Sequence, residues 1–150
     1  MNIVNTIREA MADEWIPSIY SEKVRTQRTR AVELEIPEHE NAAEIFYTLL
    51  GIELKVAKSR VACPDLATAR YLRVFARIGC RKIAVPYDIT KISVLADELE
   101  VAWQKALLLL GEVPPRTRTA LIKSMRIEIG EIGAGEAMPE FKQSTRQRKN

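Results

Sequence analysis

The chain has 150 residues, 47% of them hydrophobic and 29% charged, with a formal net charge of +3. That balance excludes a disordered polyelectrolyte, and the length suits one domain with a sizeable buried core. No apolar run approaches the ~20 residues of a membrane-spanning helix, and the N-terminus lacks a basic flank followed by an apolar stretch, so neither a span nor a secretory signal is expected. Cys63 and Cys80 have no metal-ligand spacing and His39 is the one histidine, which excludes a standard zinc site and points to reduced, buried thiols and a cytoplasmic setting.

In chain order, residues 2–14 read as an amphipathic helix with Ile3, Ile7, Ala10 and Met11 on one side. Pro17 and the polar run to Thr29 mark a loop or arm. Residues 31–36 alternate, with Val32, Leu34 and Ile36 on one face and Glu33 and Glu35 on the other, as in a half-buried strand ended by Pro37. Asn41 with Glu44 three residues on predicts a capped helix carrying Ile45, Phe46, Leu49 and Leu50 and stopped by Gly51. Ile52, Leu54 and Val56 alternate with Glu53 and Lys55 in a second strand, which continues or folds back near Lys58 and Ser59 towards Cys63. Asp65 then caps a helix ending at Gly79, and Lys82 to Pro86 reads as a buried strand.

A long amphipathic helix is expected from Asp88 or Thr90 to Leu110, with Trp103 in its apolar stripe. Pro114 and Pro115 break the chain before a basic helix over 116–129. Residues 1–138 are expected as one domain and 139–150 as a basic, disordered tail. The order of elements predicts an α/β fold: a small sheet of three or four strands with βαβ crossovers. The long helix has a second apolar line, Val94, Val101 and Leu108, which fits a homodimer or cover by the first or last helix.

The cations fall in blocks: Lys23, Arg25, Arg28 and Arg30; Arg70, Arg73, Arg77, Arg81 and Lys82; Arg116, Arg118, Lys123 and Arg126; and Lys142, Arg146, Arg148 and Lys149. Clustered cations gain from counterion release on a polyanion, so an anionic partner is expected, nucleic acid and DNA before RNA. Arg70, Arg73 and Arg77 share one helical face, where three guanidiniums can meet successive phosphates, with Arg25, Arg28 and Arg30 as an arm. A solvated outer face is the competing account of the same residues.

Glu53 and Lys55 share one face of their strand, which sets a carboxylate able to ligate Mg²⁺ beside an ammonium able to steady phosphate charge. This Glu-x-Lys strand with a helix and an apolar strand after it, over residues 51–87, resembles the core of the PD-(D/E)xK nuclease superfamily, in particular its Holliday-junction-resolvase-like members. The resemblance implies a magnesium-dependent endonuclease with Glu53 as metal ligand and Lys55 as catalytic lysine. The family's acid on the preceding strand, usually Asp, is not matched. By the resemblance Glu35 or Glu33 would stand in as the further metal ligand, with Glu9 or Glu14 as the first-helix carboxylate. A non-enzymatic homodimeric structural or regulatory protein is the third class. His39 reads as a surface residue, Trp15 and Trp103 as core, and the Gly130–Gly135 glycines lack the Lys-Ser/Thr of a phosphate loop.

Overall fold

The computed structural model describes residues 2–135; the expected tail at 139–150 lies outside the described residues. Helix α1 (Ile3–Met11) begins where the Asn2 side chain accepts the Val4 and Asn5 amides. It buries Ile7 and Met11, while Ile3 and Ala10 face solvent. A 3₁₀ turn over Ala12–Glu14 leads into α2 (Ile16–Ile19) and a π-helical turn over Tyr20–Val24. The loop or arm expected here is instead helical and enters the core. Ile16, Ile19, Tyr20 and Val24 recur at helical spacing and are buried, and Pro17 sits in the first turn, where its missing N–H costs no intrahelical bond.

The strands are β1 (Thr29–Glu33), β2 (Ala43–Thr48), β3 (Gly51–Val56), β4 (Ser59–Cys63) and β5 (Lys82–Pro86). They form two sheets, β1–β5 and the meander β2–β3–β4, and every pairing is antiparallel. The chain is thus α/β in class, but the βαβ unit expected over 51–86 joins strands of different sheets. The helix expected over 41–50 is strand β2. Ile45, Phe46, Tyr47 and Thr48 are β-branched or aromatic, and β3 offers a ladder in register from Ala43↔Val56 to Thr48↔Gly51. Asn41 is a cap, but for another helix. Its buried amide donates to the carbonyls of Pro37, His39 and Ala76, and its own N–H donates to Arg77.

Helix α3 (Leu66–Ile78) starts where Asp65 Oδ1 accepts the Thr68 amide at 2.7 Å and ends at Gly79. Gly79 has φ +93°, and a Cβ there would lie 2.4 Å from the His39 carbonyl oxygen, so both the turn and the close approach demand glycine. Helix α4 (Ile89–Leu110), capped by Asp88, packs along α3, and α5 (Pro115–Ile132) closes the bundle. One contiguous core joins α1 to α5 with β5, whose Ile83, Ala84 and Val85 are fully buried. Trp15 and Trp103 both belong to it, and Cys63 and Cys80 are free and buried. No helix among the described residues is long and apolar enough to cross a membrane.

Burial also sets the edge of the two-stranded sheet. Ala84 turns its backbone groups away from β1; its carbonyl accepts from the Tyr71 hydroxyl at 2.6 Å and its N–H donates to the Tyr20 hydroxyl at 3.0 Å. Tyr20 in turn donates to the Gly133 carbonyl at 2.8 Å. Both rings pack on Phe75, with centroids 5.5 and 5.1 Å away. Burial raises both phenols above the ordinary tyrosine range, that of Tyr71 well above it.

Candidate functional site

The arginine row of α3 lies against the acids of α4. Arg70 donates to Asp97 at 2.6 Å and Arg77 to Glu100 at 2.8 Å, while Arg73 lies 3.7 Å from Glu100. Burial lowers the pKa of Arg73, whose Nε makes no hydrogen bond among the described residues. The acids that balance this face come from a different helix.

The first basic block is similarly dispersed. Lys23 bonds Glu98 at 2.6 Å, and Arg25, half-buried, donates to Thr29 Oγ1 at 2.9 Å. Arg28 is exposed and its carbonyl accepts the Tyr87 amide at 3.3 Å; Arg30 is exposed on β1. On α5, Arg118 grips the Glu40 carboxylate with Nε and Nη2, which raises its pKa further, and Arg126 donates to the Ile78 carbonyl at 2.8 Å. Arg116 and Lys123 are exposed. Lys142, Arg146, Arg148 and Lys149 lie outside the described residues.

Glu53 and Lys55 stand on the middle strand of the three-stranded sheet. Helix α3 covers the inner face, where Leu54 and Val56 are buried; Glu53 and Lys55 point to the outer face. Register places Glu53 between Phe46 and Ala62, and Lys55 between Glu44 and Arg60. Arg60 donates to Glu53 at 3.0 Å. Strand β4 stands between the Glu-x-Lys strand and α3, so the helix does not follow that strand directly.

Glu35 is exposed in a different place, on the extended segment that continues β1. Its carbonyl accepts from the Ser59 hydroxyl, which ties this segment to the start of β4. Beyond that tie the two edges splay into an open cleft of about 1270 Å³, lined by residues 33–37, Ser59 to Ala62 and Arg81. Glu33, Glu35 and Arg60 border it, while Glu53 and Lys55 do not line it. Among the described residues no three His, Cys, Asp or Glu side chains gather as a metal-binding group, and the Glu53 carboxylate is engaged by Arg60. As it stands that donor set does not fit a magnesium ion.

Two features were not singled out in the sequence: the exposure of Phe46 beside Lys55 and Arg60, and the cleft between the sheets. The signal for the first was the alternation Glu44–Phe46–Thr48, hidden by the helical reading of the segment. Comparison with known proteins returns no match: no family model fits the chain, and no curated protein or solved structure is similar to it.

Proposed function

We propose that the protein binds single-stranded nucleic acid on the outer face of β2–β3–β4. The observation that carries the reading is an uncovered antiparallel sheet face on which an aromatic ring, Phe46, lies one register row from two cations, Lys55 and Arg60. Rows on one strand face are about 7 Å apart, so a base stacked on the ring leaves its flanking phosphates within reach of the cations. Exposed Lys58 in the β3–β4 turn extends the cationic row. The α3 arginines, the first choice from sequence, each have a carboxylate partner and contribute less here. Glu44 and Glu53 oppose binding, and Arg60 would exchange Glu53 for phosphate.

The test is a titration of labelled single-stranded DNA, single-stranded RNA and duplex DNA over a salt series. Phe46→Ala should weaken single-strand binding by about 1–3 kcal/mol, and Lys55→Ala should reduce the salt slope by about 0.7. Glu53→Gln should tighten binding. Binding that ignores Phe46→Ala but falls with Arg70→Ala would move the interface to α3, and no binding at low salt would overturn the reading.

The magnesium-dependent nuclease is a second reading, favoured by one observation: half-buried Glu53 and exposed Lys55 share the outer face of β3. It requires Glu53 to leave Arg60. Its mark would be Mg²⁺-dependent cleavage of the same strands that disappears in Lys55→Ala while binding persists.

A further inference from the structure

We infer that β2 pairs with β2 of a second copy of this chain, antiparallel about a two-fold axis, to make one six-stranded sheet. The β2–β3 ladder closes at Thr48↔Gly51 across a two-residue turn, so Thr48, Phe46 and Glu44 bond to β3. Ala43, Ile45 and Tyr47 therefore turn their backbone N–H and C=O groups to the opposite edge, with which no strand among the described residues pairs. Edges of this kind are normally guarded by lysine, proline, a bulge or a covering element. Here the stretch Ile45–Leu50 has no charge and no proline. It ends in a hairpin tip where Leu49 is 106% exposed, Leu50 95% and Tyr47 72%.

The strand is compatible with itself. An axis through Phe46 sets Ile45 opposite Tyr47 of the second copy and Glu44 opposite Thr48 of the second copy. An axis one residue away, through Ile45, sets Glu44 opposite Phe46 of the second copy. Neither register opposes like charges, which antiparallel neighbours penalise. Phe46, Tyr47, Leu49 and Leu50 together expose roughly 500 Å² of apolar surface, most of the ~800 Å² per partner of a standard interface. The ladder and the flanking Glu44 and Thr48 supply the polar remainder. An isologous pairing also consumes the β2 edge in both copies, so no third copy can add at that edge.

This dimer differs from one built on the outer line of α4; it shares Phe46 with the nucleic-acid reading, and measuring the oligomeric state without nucleic acid tests it alone. Sedimentation of the full chain should give twice the chain mass, and the Ile45 and Tyr47 amides should exchange slowly and lose that protection on dilution. Tyr47→Lys should give a monomer with an unchanged circular dichroism spectrum. Leu49→Ser with Leu50→Asn, confined to the exposed tip, should weaken the dimer in the same direction even if Tyr47→Lys folds poorly. Val101→Glu on α4 should leave it intact. A monomeric wild type, or a dimer that survives both β2 changes, would overturn the inference, as would a dimer broken by Val101→Glu alone.

Discussion

Strands β5 and β2 each pair on one side only, and the molecule treats their free edges in opposite ways. At β5 the unpaired groups of Ala84 meet the hydroxyls of Tyr20 and Tyr71, delivered from a π-helical turn and from α3. The edge is finished by side chains inside the core, where a lone N–H or C=O would carry its full desolvation penalty. At β2 the corresponding groups of Ala43, Ile45 and Tyr47 face outward, and Phe46, Tyr47, Leu49 and Leu50 towards the hairpin tip are exposed. One sheet edge is built to be closed by the chain itself, while the other is open to a partner.

The sharpest way to break this contrast is to remove the ring on which both tyrosines rest. Phe75→Ala should cost about 3–5 kcal/mol, while Phe46→Ala on the open sheet should stay within about 0.5 kcal/mol, read as denaturant midpoints at unchanged slope. Alkaline titration probes the same closed region. Burial pushes the Cys80 thiol from 9.0 up to about 12. The folded state therefore holds a proton that the unfolded chain releases first, so the stabilisation is complete below about pH 9 and is lost as pH rises towards 12. Cys80 alone should contribute a falling limb of up to about 1.4 kcal/mol per pH unit across that window in monitored unfolding. Cys80→Ala should make the decline shallower, leaving the part above about pH 10 that the raised Tyr20 and Tyr71 phenols supply.

Tyr71→Phe, which strands the Ala84 carbonyl, should cost about 1–3 kcal/mol, and combined with Tyr20→Phe it should be non-additive because both serve one residue. A small effect is also expected at the outer helix pair. Arg70→Ala should cost no more than about 1 kcal/mol, since Asp97 is largely exposed and salt screens the bond.

Where local chemistry decided the structure, the sequence was readable. Asp65 and Gly79 bound α3 as expected, Asp88 and Gly111 bound α4, and Leu34 and Ile36 are buried opposite Glu33 and Glu35. The errors came where a residue works for a distant element. Asn41 resembles a helix start, yet its amide serves the end of α3, 35 residues away at Ala76. Pro17 resembles a loop marker but opens a buried helical turn. The α3 arginines seemed undiluted because their acids, Asp97 and Glu100, arrive on α4. Of the candidate residues, Glu53 and Lys55 share a face as the alternation implied. That this face is uncovered depends on which side α3 packs, a property of the assembled layers.

The ion pairs Arg8–Glu128, Arg70–Asp97, Arg77–Glu100 and Arg118–Glu40 also change what the molecule looks like from a distance. Each turns a point charge into a short dipole, whose potential decays faster than that of an isolated charge and is screened within about 8–10 Å at physiological salt. In the far field the arginine row of α3 is largely cancelled, because Arg70, Arg73 and Arg77 each face a carboxylate of α4. A polyanion would feel little pull from that helix until it came within contact range, where a phosphate would have to compete with Asp97 and Glu100 for the same guanidiniums.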